Sequence, residues 1–550
     1  MQVSEAVKKS WERFGSAQSY QPGDAKTVLE LWERAVAEHS DLPAFSALGQ
    51  SLSYRVIDAL ASDLAGYLAN DLGLAQGDRV AVQIPNLLHY PVVSYAIFRA
   101  GLVLVNTNPM YTERELVHQL NDSGARAIIV LDRFQPMIEK VRAETTVEHI
   151  IVASPLDFHA SPKRQIMGLL AKWLGKAAPP PKGDFVWLRD ALDRGKGKPI
   201  PKLSVDSQDV AVLQYTGGTT GVSKGAMLTH FNLVSNAEQS KAQFAAHLKR
   251  GQKVISPLPL YHIYAWSLNV VMFTRIGVHA VLIPDPRNVA DLVKTFDKYR
   301  PNAFVGLNSL FVALMNNEAF RNLDFSSLKL TASGGMPLLE PVANRWMEIT
   351  GCSISEGYGM TESSPIISFN PPGQEKIGYA GVILPGTEVR IVGDDGTDQE
   401  VGGRGELCVR GPQVMKGYWQ RPEQTAETIK DGWLHTGDVV IMDEEGYIKI
   451  VDRIKDMIVV SGFNVYPTEL ENVLQEHPDV LECAAIGVPD DKAGEVVKMF
   501  VVRANPALTK EDVIAFCREH LTGYKIPKFV EFRDELPKSN VGKVLRKDLR

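Results

Sequence analysis

The run VAVLQYTGGTTGVSKG occupies residues 210–225. Val210–Gln214 is a short apolar, β-branched run of the kind that fills a buried strand. The stretch that follows, Tyr215 to Gly225, sets Gly217, Gly218 and Gly221 among Thr216, Thr219, Thr220, Ser223 and Lys224. Glycines let backbone approach a phosphate closely, exposed amides and hydroxyls donate to it, and a lysine adds charge. A helical pattern begins near His230. Strand, glycine-rich loop and helix together predict an α/β sheet with a nucleotide phosphate at its edge. The spacing refuses a P-loop, which places Gly, Lys and Ser/Thr in sequence after four spacers. Counted from Gly218, those places hold Ser223, Lys224 and Gly225, so the loop is a phosphate cradle of another design.

The same rhythm extends in both directions. Arg79–Ile84, Leu102–Val105, Ala127–Leu131 and His149–Ala153 read as buried strands, with helical patterns such as Tyr90–Arg99 and Glu113–Asn121 between them. Asp209–Tyr215, Lys253–Pro257, Ala280–Pro284, Ala303–Gly306 and Leu328–Ser333 continue it, separated by helices such as Asn288–Arg300. Alternation of this kind predicts doubly wound βαβ subdomains around largely parallel sheets. From 386 to 451 the pattern changes to short strands and turns, among them Gly393–Gly396 and Asp443–Gly446, which predicts a small antiparallel β subdomain. The last part reads as a small α+β unit: helix Thr468–Gln475, strands Glu482–Gly487 and Val496–Arg503, helix Lys510–His520 and strand Phe529–Phe532. The charged run Asp452-Arg453-Ile454-Lys455-Asp456 is the candidate linker. The division expected is therefore 1–452, a hinge at 453–456, and 457–550.

Composition limits the function. A chain of 550 residues exceeds what one hydrophobic core serves. With 45% apolar and 23% charged residues it is neither disordered nor a disulfide scaffold. A net charge of −6 argues against a global grip on nucleic acid. Cys352, Cys408, Cys483 and Cys517 stand far apart without metal-ligand spacing, and read as reduced thiols in a cytosolic protein. The N-terminus, with Glu5, Lys8, Lys9, Glu12 and Arg13, lacks the apolar core of a secretory signal. No run reaches the length a membrane helix needs. Residues 159–202 break the rhythm, with ten Lys/Arg against three Asp/Glu and prolines at 179–181. Met167, Leu169, Leu170, Trp173 and Leu174 lie there beside Lys163, Arg164, Lys172 and Lys176. Two readings stand open: a basic amphipathic patch for an anionic membrane surface, or a solvated loop whose apolar residues pack on the domain.

Further motifs follow in order: PLPLYHIYAW at 257–266, SGGMP at 333–337, EGYGMTES at 356–363, GWLHTGD at 432–438, DRIKDMIVVSGFNVYP at 452–467 and PKSNVGKVLRKDL at 537–549. With the loop at 215–225, this series resembles the adenylate-forming superfamily of acyl-CoA synthetases, aryl-CoA ligases, luciferases and peptide-synthetase adenylation domains. Residues 432–471 are similar in detail to bacterial long-chain fatty-acyl-CoA synthetases. The resemblance implies an ATP-dependent ligase that forms an acyl-adenylate and pyrophosphate, then a coenzyme A thioester and AMP. The same chemistry on a medium-chain or aryl acid is the alternative.

It also implies roles, residue by residue. Lys543 would bridge the α-phosphate and the attacking carboxylate, as suits a point charge. Thr361 would contact phosphate, and His262 would lie near the carboxylate. Glu362, with Thr216, would hold Mg²⁺. Tyr358 would stack on adenine in a pocket lined by Gly334, Gly335, Gly357 and Gly359. Asp438 would accept the ribose hydroxyls, with Arg453 beside it. Trp266 would gate the acyl tunnel, sharing a helical face with His262 if a helix starts there. Lys455 falls at the hinge, about which the small domain would turn between half-reactions. Ser461, Gly462, Phe463 and Asn464 would then line the coenzyme A path. Asn464, where many aryl-CoA ligases carry Gln, agrees with the fatty-acyl group. Peripheral association with the cytoplasmic membrane face is implied as well, and homodimers occur in the family, although no sequence feature here establishes one.

Overall fold

The computed structural model describes residues 1–15, 23, 25–175, 177–200, 203–216, 223–490, 492–539 and 544–550. Four sheets organise the chain. In the first, strands Val210–Thr216, Val103–Asn106, Arg79–Gln83, Ala125–Leu131, His149–Ala153 and Val186–Trp187 run parallel. In the second, the parallel strands are Ile354–Gly359, Leu330–Gly334, Ala303–Gly306, Lys253–Ser256, His279–Leu282 and Pro43–Ala47. Their β-branched runs are buried almost without interruption, as strands covered by helices on both faces must be. The edges are antiparallel. Ile366–Phe369 and Val382–Ile383 close one side of the second sheet, and Lys224–Thr229 with Gly417–Tyr418 close one side of the first. The sheets are therefore largely parallel, as expected, with antiparallel strands at their edges.

The hairpin at that edge corrects the reading of the glycine-rich run. Lys224 does not stand in a loop that leads straight to a helix. It opens strand Lys224–Thr229, which pairs antiparallel with Val210–Thr216, Thr216 opposite Lys224. The helix follows at His230–Ala245, its N-terminus closed by a capping box between Thr229 and Asn232.

The third sheet is antiparallel and comprises Glu388–Val392, Arg404–Arg410, Trp433–Met442, Ile429–Lys430 and Ile448–Arg453. The fourth contains only residues beyond the expected hinge: Ile458–Val460, Phe463–Val465, Val480–Asp490, Gly494–Arg503 and Phe529–Arg533. It has its own apolar core, built from Leu470, Leu474, Val501, Val513 and Cys517 among others. All four cysteines are free and buried. Among the described residues, no helix is long and apolar enough to cross a membrane.

Residues 163–173 form a helix with no buried residue, whereas Leu188, Ala191 and Leu192 of the same basic segment pack in the core. The solvated-loop reading is corrected for residues 163–173, which are helical, and holds in part for the apolar residues further on, which do pack.

Candidate active site

One cleft of about 1100 Å³ opens at the carboxyl ends of the parallel strands of the first two sheets, the usual ligand position in open α/β sheets. Six Lys/Arg line it (Lys224, Lys430, Arg453, Lys455, Lys538, Lys547) against four Glu (Glu115, Glu362, Glu406, Glu427). Its wall therefore suits an anionic ligand. Phe244, Leu258, Leu307, Ile366 and Phe369 supply an apolar stretch of the same wall.

Most of the residues expected at a site converge here. Thr216, Lys224, His262, Gly334, Gly335, Gly357, Tyr358, Gly359, Thr361, Glu362, Arg453 and Lys455 all line the cleft. Gly217, Gly218, Thr219, Thr220, Gly221 and Lys543 lie outside the described residues. Their neighbours Thr216, Ser539 and Val544 line the cleft.

The hydroxyl of Ser223 is committed elsewhere. It donates to the Thr216 carbonyl at 2.8 Å and in this arrangement fastens the two arms of the hairpin together. Glu362 sits in a short 3₁₀ turn, Thr361–Ser363, and is 8% exposed. Its Oε1 accepts from the Tyr418 hydroxyl at 2.6 Å, and Lys224 Nζ lies 4.8 Å above the Tyr418 ring. A buried carboxylate with lone pairs to spare, in a cleft that Thr216 also lines, is a hard-oxygen donor open to the cleft.

Tyr358 and Asp438 are coupled. The Tyr358 hydroxyl donates to Asp438 Oδ2 at 2.6 Å, and Arg453 Nε donates to Oδ1 at 3.1 Å. Burial, with the Asp438 charge added, pushes the Tyr358 hydroxyl well above its usual value, so it stays protonated. Asp438 is aimed by a bulge that the sequence reading missed. Glu406 Oε1 accepts the Gly437 N–H at 2.9 Å, Glu406 Oε2 pairs with His435 Nδ1 at 2.8 Å, and Thr436 Oγ1 donates to the Leu407 carbonyl. Cys408 completes this cluster, 3.5 Å from His435 Nδ1, and burial pushes its thiol up to about 12.

His262 caps the helix Ile263–Trp266, its Nδ1 accepting the Tyr264 N–H at 3.3 Å. The proton of the neutral ring then sits on Nε2. Burial lowers its value to about 4, so His262 faces the cleft as a neutral donor and not as a cation. As the cap it lies outside the helix, so it shares no helical face with Trp266. Trp266 does not line the cleft: it is fully buried, its Nε1 donating to Ser94 Oγ at 3.3 Å.

Lys455 lies in the 3₁₀ turn Ile454–Asp456 that joins the third and fourth sheets. Burial first, and Arg453 second, lower its value. The expected coenzyme A path is not brought to the cleft. Ser461 and Gly462 form an exposed turn, Phe463 stacks on Tyr524 with ring centroids 4.7 Å apart, and Asn464 Nδ2 donates to Asp394 at 3.3 Å.

Other residues in the cleft had no local signal. Tyr418 arrives through the pairing of Gly417–Tyr418 with Ala226 and Met227, nearly two hundred residues away in sequence. Asn106 and Gln214 form a buried amide pair at 2.8 Å, and Gln214 donates to the Tyr261 carbonyl at 3.1 Å, fixing the cleft floor.

Residues 32–419 match the AMP-binding enzyme family, and residues 469–543 match the AMP-binding enzyme C-terminal domain. The chain is 50% identical over 532 residues to a long-chain-fatty-acid–CoA ligase of Salmonella typhimurium, covering 96% of this chain and 95% of the relative. Identity to the ligase of that name from Escherichia coli O157:H7 is 49% over the same coverage. Among solved structures, an anthranilate CoA ligase in complex with anthranoyl-AMP superposes with a TM-score of 0.84 at 26% identity, over 95% of this chain and 96% of that one.

Proposed function

The chain belongs to the AMP-binding enzyme family, and from that premise we propose that it activates long-chain fatty acids to their coenzyme A thioesters at the expense of ATP. The observation that carries this reading is its near-full-length, half-identical match to ligases of that activity.

The chemistry has two halves. A carboxylate oxygen attacks the α-phosphorus, the bond to the β-phosphate oxygen breaks, and pyrophosphate leaves. The coenzyme A sulfur then attacks the acyl carbonyl, the bond to the adenylate oxygen breaks, and AMP leaves while the thiol proton passes to solvent. Both partners of the first half are anions, so their approach requires fixed positive charge and oriented donors. Lys224 and Arg453 supply charge from the cleft wall, and Lys543 is the lysine proposed to bridge the reacting groups. His262, neutral at working pH, donates Nε2–H to an oxygen without adding charge. Tyr358 lies against the adenine, and Asp438 accepts the ribose hydroxyls while Arg453 and Tyr358 hold it in place. The acyl chain lies against Phe244, Leu258, Leu307 and Phe369. Glu362 and Thr216 would hold Mg²⁺, which would supply positive charge against the phosphates.

The division we infer is a large domain to 452, a hinge at 453–456 with Lys455 at its centre, and a small domain from 457 that presents first the Lys543 segment and then the Ser461–Asn464 turn. The separate sheet and core of the last hundred residues support it. The test is pyrophosphate release from ATP and Mg²⁺ with a series of acids from octanoate to oleate, with coumarate alongside, followed by AMP release on adding coenzyme A. Release should be fastest with the long chains and negligible with coumarate. Absence of pyrophosphate with every fatty acid would overturn the reading.

A further inference from the structure

Helix Lys163–Trp173 is seated the wrong way round for a helix packed on a soluble domain. At about 100° per residue, Ile166, Leu169, Leu170 and Trp173 fall on a single face. They are 61%, 69%, 51% and 81% exposed. The partly covered residues, Arg164, Met167, Gly168 and Ala171, occupy the opposite face. Gly168 is where the helix meets the body: a Cβ there would come within 3.9 Å of Leu156. The helix thus rests on its small and mixed side and turns its apolar side to solvent, the reverse of an ordinary surface helix. Leu174, 50% exposed, prolongs the stripe.

The charges around it are arranged to match. Lys163 and Arg164 stand in the first turn, where the helix dipole disfavours cations, and no acid offsets them there. Lys172 stands in the last turn. Among the described residues, none of these three joins a carboxylate in an ion pair. They belong to a stretch, 159–202, with ten basic and three acidic residues in a chain whose net charge is −6.

We propose that this helix seats the protein on an anionic lipid bilayer. It lies in the interface plane, with Ile166, Leu169, Leu170 and Trp173 at the boundary of headgroup and acyl chain and Lys163 and Lys172, which flank that face, against lipid phosphates. A second copy of the chain is a poor occupant, because a symmetric pairing would bring the same cations face to face. The stripe is convex and carries an exposed tryptophan, which suits a deformable surface. The inference rests on the helix alone. Under the ligase reading it also brings the protein to the phase into which long-chain fatty acids partition.

Leu169→Glu/Trp173→Glu tests it, since both side chains are solvent-exposed and neither lines the cleft. Wild type and variant are sedimented with vesicles of phosphatidylcholine mixed with phosphatidylglycerol, and with vesicles of phosphatidylcholine alone. Wild type should sediment with the mixed vesicles and far less with the neutral ones, and high salt should weaken the association. The variant should partition roughly tenfold less or weaker still. Pyrophosphate release with octanoate, a freely soluble acid, should be the same in both proteins, which shows that the variant is folded. Equal partitioning of the two proteins, or indifference of the wild type to anionic vesicles, overturns the proposal. So does a wild-type dimer that the variant dissociates without either binding vesicles, which would make the face a protein interface. If pyrophosphate release fails in both proteins while vesicle binding follows the expected pattern, the ligase reading falls and the membrane seat stands.

Discussion

Asp438 does not itself line the cleft but stands directly behind two residues that do, held by Tyr358 at 2.6 Å and Arg453 at 3.1 Å. A carboxylate 4% exposed and so held is pre-oriented for a vicinal diol. Tyr358→Phe keeps the ring and removes one of the two bonds. The KM for ATP should rise about tenfold with kcat little changed, because a hydrogen bond to a charged group contributes about 1.5–3 kcal/mol and this one positions a binding group. Initial rates of pyrophosphate release against ATP concentration check it, and an unchanged KM would show that Tyr358 does not set the carboxylate. One position earlier than Gly357, Glu356 carries a different signature. Burial raises its carboxyl from 4.5 to about 8, although the Leu338 N–H donates to it at 3.2 Å. Below its ordinary value both folded and unfolded chains hold the proton. Between there and about 8 only the folded chain holds it, so stability falls as pH rises through that window and levels off above it. Glu356→Gln should therefore match wild type in acid and exceed it at pH about 8, by on the order of 1–3 kcal/mol. Denaturant melts of the two proteins across that range give the difference directly.

At the scale of elements, the glycines of the cleft serve two different purposes. Gly359 ends strand Ile354–Gly359 opposite Ile366, and a Cβ there would lie 1.9 Å from the Pro365 carbonyl oxygen. Backbone cannot give way to that extent without parting the two strands and displacing Thr361 and Glu362. Gly335 has φ +79°, and a Cβ there would meet nothing within 4 Å, so its constraint is conformational only. Gly335→Ala should cost about 1–2 kcal/mol, and Gly359→Ala at least about 3 kcal/mol with loss of activity in whatever protein folds. Comparing unfolding midpoints and soluble yield separates the two. The same contrast explains what the sequence could show. Strand Ala303–Gly306, strand His149–Ala153 and helix Lys510–His520 stand where periodicity and caps place them, because a buried strand and a capped helix each write a local pattern. That Glu362 and Arg453 share one cleft was legible through motifs of fixed spacing. Tyr418 was not, since only a strand pairing distant in sequence sets it beneath Lys224. Glu406 was hidden likewise, because its work is done across a bulge on the neighbouring strand.

For the molecule as a whole, the decisive arrangement is at the junction of the third and fourth sheets. Arg546 donates to both oxygens of Glu471, at 2.8 and 2.7 Å, and reaches Asp456 in the hinge turn at 3.4 Å. The chain just beyond residue 543 is thereby fastened to the hinge, and Lys538 and Val544 bridge across the span between them. Ser539 and Val544 line the cleft while the turn at Ser461 and Gly462 is exposed away from it, so this arrangement offers the cleft one of the two segments and withholds the other. Under the division proposed above, bringing the Ser461–Asn464 turn to the cleft for the second half-reaction requires the junction to move. Lys543→Ala should all but abolish pyrophosphate release from ATP and oleate, yet leave thioester formation from supplied oleoyl-adenylate nearly intact. Lys455→Pro should do the opposite. Proline fixes φ and disfavours helical backbone at Ile454, which stiffens the turn Ile454–Asp456 about which the small domain would swing. Adenylate would still form in the arrangement already assembled, and thioester synthesis would fall by tenfold or more, since roughly 1.4 kcal/mol added to the cost of the swing suffices for that. Measuring each half-reaction separately in both variants gives a crossed pattern if the two chemistries use two arrangements. Parallel losses would place both in a single one.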